Sequence, residues 1–212
     1  MELKKIMAVC GFMVCSFSLC AQDMAEVFIA MPNEYLPQLE DAWRKDLVDL
    51  YRSGEKARLK NGMNGMSELV KLTKDYLLLQ STERTTVEMK LLPLVNNTFV
   101  ICRIVTLEGP VKDSRVTFFS PEWKPLHAED LWSPVSSDWF RRTDVDTTSV
   151  NYGEAIYQLD MELFYYQLSS DDYTLTQTYT TPAYTDQETQ KKLRAYLKEE
   201  PKVYTWTKSY FK

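Results

Sequence analysis

His127 is the sole histidine of this 212-residue chain, so any serine or cysteine hydrolase using imidazole as its base must use it. It sits in Pro125-Leu-His-Ala-Glu-Asp130, a stretch that reads as a loop, beside the carboxylates of Glu129 and Asp130. Those three side chains could ligate a metal, yet no zinc spacing such as His-Glu-x-x-His accompanies them. Asp144-Val-Asp146 begins like a calcium loop and then fails: Ser149 stands where glycine is required, and Ala155 where the closing glutamate should be. Asp171-Asp172 reads as hairpin chemistry. Gly11, Gly54, Gly62, Gly65, Gly109 and Gly153 are the only glycines. Their spacing excludes a dinucleotide fingerprint, a P-loop and a nucleophile elbow, each of which needs glycines at short fixed offsets. The residues therefore nominate no catalytic group, no metal ligands and no cofactor. The enzymatic alternative they leave is a hydrolase using a carboxylate pair or His127, and a carboxylate pair is defined by its separation in space.

The more informative residues are aromatic. Only Phe28, Tyr35, Trp43, Tyr51, Tyr76 and Phe99 lie between residues 22 and 117; Phe12 and Phe17 apart, the remaining rings follow from Phe118 onward. Trp123, Trp132, Trp139 and Phe140 fall where hydrophobic periodicity is weak, so a regular core explains them poorly. Tryptophan and tyrosine offer large rigid contact area with a polar handle, the material of protein interfaces and sugar platforms. These four residues are the expected binding surface, for a partner protein or a glycan.

The elements that would carry them follow from spacing. Asp23 with Glu26 resembles a capping box, and Met24, Val27, Phe28 and Met31 recur at helical intervals before Pro32. A second amphipathic helix is expected from about Pro37 to Arg52, with Leu39, Trp43, Leu47 and Leu50 on its apolar stripe. Residues 67–73 read as a short helix or strand. Val87, Met89 and Leu91 alternate with Thr86, Glu88 and Lys90, the period of a half-buried strand, and the run Thr98 to Leu107 reads as its hairpin partner. Cys102 within that run reads as a small buried hydrophobe. Asn96-Asn-Thr98 fits a glycosylation sequon and falls at the expected hairpin turn. Arg115 to Ser120, Glu162 to Leu168 and Tyr173 to Thr181 are further strands, residues 155–165 being compatible with helix as well. Thr185 and Glu188 start a last helix that Pro201 ends, and Val203 to Tyr210 is a closing strand. The expected fold is α+β: an antiparallel sheet with N-terminal helices and one C-terminal helix packed on it.

Lys4 and Lys5 precede an uncharged run from Ile6 to Leu19 that ends at Cys20-Ala21, the pattern of a signal peptide cleaved near Ala21. Leu19 and Val14 before Cys20 and Cys15 are poor matches to a lipidation site, so cleavage is preferred over lipoprotein anchoring. Residues 22–212 then form one α+β domain, with any subdivision falling near 118–125. No later run is long and apolar enough for a transmembrane helix. Cys102 is left as the one cysteine, so no disulfide forms within the mature chain and packing must hold it. The composition, 44% hydrophobic and 26% charged, is that of an ordinary globular protein. A formal net charge of −5 argues against nucleic acid as a partner.

Several segments together resemble a known group. The export signal, Leu47-Val-Asp-Leu-Tyr51, Leu72-Thr-Lys-Asp-Tyr-Leu77, the run from Gly109 to Trp123 and the end Val203-Tyr-Thr-Trp206 are similar to an uncharacterised family of secreted proteins from Bacteroides-type gut bacteria. The resemblance spans most of the chain and implies a Gram-negative envelope location, periplasmic or secreted, with an α+β fold. That family carries no assigned activity, so it implies no catalytic residue here.

Overall fold

The computed structural model describes residues 23–212; the expected signal peptide, residues 1–21, lies outside them. Two helices come first, α1 (Met24–Ile29) and α2 (Asp41–Arg52). Seven strands follow: β1 (Arg58–Lys60), β2 (Met66–Leu72), β3 (Tyr76–Thr82), β4 (Thr85–Pro93), β5 (Phe99–Glu108), β6 (Lys112–Phe119) and β7 (Pro125–Leu126). They pair antiparallel in chain order as one meander. The last third holds α3 (Val150–Tyr157), β8 (Phe164–Leu168), β9 (Thr174–Tyr179), α4 (Thr181–Tyr184), α5 (Gln187–Leu193) and β10 (Lys202–Thr205), with the three strands paired as β10-β9-β8. The fold is α+β: a helical layer, a seven-stranded sheet and a three-stranded sheet.

The helical layer forms because the Asp23 carboxylate caps α1 by accepting from the Ala25 amide at 2.9 Å, and because Met24, Ala25, Phe28, Leu47 and Val48 face inward. Arg44 locks the two helices together. Its guanidinium is 1% exposed and donates to the carbonyls of Leu39 (2.6 Å), Ile29 (3.0 Å) and Met31 and to Asn33 Oδ1 (3.0 Å). Ile29 and Met31 lie where α1 ends, and terminal carbonyls have no partner within a helix. The second helix starts at Asp41 rather than near Pro37, because the residues before it turn to present Leu39 to Arg44.

Each face of the seven-stranded sheet has its own cluster. Leu77, Leu79, Val87, Met89, Leu91 and Ile101 pack on the helices. On the opposite face Leu92, Val100, Cys102, Ile104 and Phe118 pack on Leu168, Leu175, Tyr204, Trp206 and Phe211. The alternation read in β4 is present, but its second face is covered by the three-stranded sheet, so Glu88 (5% exposed) and Lys90 (1%) are buried. Cys102 is fully buried, and burial, aided by the Glu88 carboxylate, pushes its thiol well above the ordinary range.

Polar side chains stitch the two sheets together. The amides of β8 that point away from β9 donate to side chains of the larger sheet: Phe164 to Asp113 Oδ1 (3.3 Å), Tyr166 to Ser114 Oγ (3.2 Å) and Leu168 to Glu88 Oε2 (2.9 Å). Lys90 pairs with Asp75 at 3.2 Å and donates to the Ser170 carbonyl. In the C-terminal third α5 is capped by Asp186, which accepts from the Glu188 and Thr189 amides, and it ends at Leu193. It packs through Leu193 on Ala155 of α3, with Tyr179 of β9 against the same cluster. The helix α3 occupies part of the segment whose period was ambiguous; the strand begins after it, at Phe164.

Candidate functional site

Of the four aromatic residues expected to form a surface, the structure buries three. Trp123 is 5% exposed, Trp132 7% and Phe140 2%. The expectation that they present their rings to solvent is thereby corrected: the loop folds back and uses them as core.

Trp123 shows why most directly. Its φ of 60° lies in the left-handed region, which costs a non-glycine residue about 1–3 kcal/mol. The turn holds because the indole packs on Phe119 (5.2 Å between centroids) and Tyr35 (5.9 Å), and because Nε1 donates to the Val27 carbonyl at 3.3 Å. Burying a large side chain and forming two aromatic pairs offsets that cost. Trp123 thus clamps α1 onto the sheet. Trp132 meets Tyr166 and Tyr204 edge-on at 5.0 and 5.7 Å, and Phe140 packs on Phe164 and Tyr179.

Trp139 alone of the four is only partly buried. It stands edge-on to Phe140 at 4.9 Å, and the Lys198 ammonium lies 4.5 Å from its ring centroid while donating to the Trp139 carbonyl at 2.6 Å. Lys202 approaches the same ring at 5.7 Å. The segment around Trp139 is pinned by backbone bonds from Lys198 to Phe140 (2.7 Å) and from Arg142 to Tyr196 (2.8 Å).

A cleft of about 880 Å³ lies between α3 and α5. Asn151, Glu154 and Tyr157 of α3 and Gln158 just after it line one side, and Lys191 and Tyr196 the opposite wall. Tyr157 is 84% exposed and Val150, on the same helix, 75%. Tyr196 is held edge-on by Tyr152 at 5.4 Å. This cleft was missed in the sequence. The signal that could have found it is the composition of Val150-Asn-Tyr-Gly-Glu-Ala-Ile-Tyr157, which has one charge and yet buries only Ala155 fully. A helix so poor in charge is ordinarily covered.

The residues weighed for catalysis do not converge. His127 is exposed and Glu129 and Asp130 are exposed beside it. Asp144 takes both ends of the Arg142 guanidinium, at 3.0 and 2.7 Å, which holds its carboxyl below the ordinary range. Asp146 accepts from the Thr148 amide and hydroxyl, and Asp172 accepts likewise from Thr174. These are turn-closing bonds. A second open cleft, lined by Arg142, Asp144, Arg194, Lys198, Glu199 and Glu200, sets its carboxylates against guanidinium groups, with Arg194 3.9 Å from Glu199. Among the described residues no three His, Cys, Asp or Glu side chains are grouped to hold a metal. Nor is any helix among them long and apolar enough to cross a membrane.

The arrangement is that of a layered α+β protein with exposed apolar side chains at Val150 and Tyr157 of α3 and Tyr184 of α4, and others on its strands and turns. Residues 16–211 match the family described as "Protein of unknown function (DUF3256)", and the chain belongs to that family. It is similar to a solved domain of an uncharacterized protein from Porphyromonas gingivalis W83, with 28% identity and a TM-score of 0.80 over 88% of this chain and 96% of that one. No curated protein matches the chain.

Proposed function

We propose that this chain is an exported, non-catalytic binding protein, periplasmic or secreted, that engages a partner protein or glycan through Trp139 and the α3–α5 surface. Residues 22–212 act in it as one α+β domain. The observation that carries the reading is the group of large apolar side chains left open on α3, the turn after it and α4: Val150 (75% exposed), Tyr157 (84%), Met161 (37%) and Tyr184 (53%). Both helices contact α5. Other exposed apolar residues, among them Met63, Val70, Val95, Leu107 and Val203, are scattered over strands and turns. Val150 and Tyr157, seven residues apart, fall on the same side of α3, and large apolar groups left open together on a helix mark a site of contact.

Export is supported by Lys4, Lys5, the uncharged run Ile6 to Leu19 and the small residue Ala21. N-terminal sequencing of the protein recovered from the envelope should begin at Gln22; an intact Met1 would contradict export. For binding, the immobilised protein is offered envelope extract and a glycan array. Trp139→Ala combined with Tyr157→Ala should abolish capture without lowering the melting temperature by more than a few degrees. Capture that survives this double substitution refutes the assigned face.

A further inference from the structure

We propose that the cleft between α3 and α5 is a binding site for a neutral oligosaccharide, with the Tyr157 ring as its stacking platform; this deepens the binding reading above and rests on it.

Size comes first. At about 880 Å³ the cleft is within the range of sites that take small molecules, and it accommodates a short saccharide. Its lining comes next. Asn151 and Gln158 supply carboxamides, Thr189 a hydroxyl and Glu154 a carboxylate, a mixture of donors and acceptors that matches hydroxyl groups, which are both. Tyr157 and Tyr196 supply the ring faces on which the C–H side of a pyranose packs.

Charge then selects among polar ligands. Lys192 is paired with Glu188 at 2.9 Å, and the remaining lining charges, Glu154 and Lys191, are opposite in sign. No net charge is left to favour a polyanion or a cation, so a neutral polyol fits best.

Gly153 provides the independent observation. It stands within α3 and lines the cleft, its φ is not in the left-handed region, and a Cβ there would meet nothing within 4 Å. Neither the backbone nor the packing of this chain requires glycine at that position, although glycine weakens a helix. A ligand lying close against the helix backbone would account for it.

The test uses the purified protein and a printed array of neutral oligosaccharides, with hits measured by calorimetry and acidic oligosaccharides as the charged comparison. At least one neutral oligosaccharide should bind. Tyr157→Ala should weaken it by about tenfold or more, the loss expected for one stacked ring. Gly153→Leu should abolish binding by filling the cleft while leaving the melting temperature undiminished, since leucine is the better helix former. Three results overturn the proposal: no neutral oligosaccharide bound at concentrations up to about 10 mM, binding unchanged in both variants, or a preference for the acidic set. If saccharides fail while capture of an envelope protein still depends on Trp139 and Tyr157, the saccharide site falls and the binding reading stands. If neither is bound, both fall.

Discussion

Replacing Trp132 with alanine separates a core tryptophan from a surface one. The indole is 7% exposed and meets Tyr166 and Tyr204 edge-on, within the cluster that joins the two sheets. Removing a large buried aromatic side chain costs about 3–5 kcal/mol, since the transfer energy is lost and the cavity collapses only in part. In a protein of this length each kcal/mol moves the melting temperature by about 2–4 °C, so the expected drop is about 6–20 °C. Trp139→Ala loses a partly buried ring and its Lys198 contact, worth about 1 kcal/mol, and should lower the melting temperature by only about 2–4 °C. Circular dichroism melts of the two variants and the parent protein, at one pH and salt concentration, decide the matter. Equal losses, or a drop under about 3 °C for Trp132→Ala, would refute the assignment of Trp132 to the core.

Glu88→Gln tests the polar seam. Burial, above all, raises the Glu88 carboxyl above the ordinary range, so at pH values between its unfolded and folded pKa the folded state holds a proton there that the unfolded chain has released. Its contribution to stability is therefore greatest at low pH and declines as pH rises from the unfolded value through the folded one. Glutamine keeps an acceptor for the Leu168 amide, so the variant should equal or exceed the parent in stability at neutral pH and lose that advantage under acid; the opposite trend in chemical denaturation contradicts this account. Arg44→Lys should destabilise by about 2–4 kcal/mol, because one ammonium cannot replace a planar fork serving three carbonyls and Asn33, and a loss below about 1 kcal/mol in urea titration would show the network to be dispensable. Gly153→Ala should stabilise by about 0.5–1 kcal/mol through helix propensity alone. A lowered melting temperature would mean that the open space beside Gly153 is occupied in solution.

Local chemistry made much of the fold legible. The Asp23 cap, the stripe of α2 and the alternation of Val87, Met89 and Leu91 each specify an element by themselves, and all three elements are present. What escaped the reading depends on partners distant in sequence. Glu88 and Lys90 look like a solvated face until residues 164–175 cover them. Trp123 and Trp132 looked free because nothing near them in sequence is periodic; their neighbours, Val27, Tyr35, Tyr166 and Tyr204, lie far along the chain. The α3–α5 cleft was hidden for a related reason. Tyr157, Leu159, Met161 and Leu163 alternate as a strand would, which masked a short helix ending at Tyr157.

The outer amides of β8 carry one more consequence. An exposed strand edge is a template on which another chain can grow, and proteins blunt such edges by several devices. Here Asp113, Ser114 and Glu88 occupy the hydrogen-bonding positions a foreign strand would need at Phe164, Tyr166 and Leu168. The bonds that fasten the smaller sheet to the larger therefore also deny that margin to fibrillar growth, so substitutions that loosen this junction should favour assembly of misfolded copies as well as unfolding.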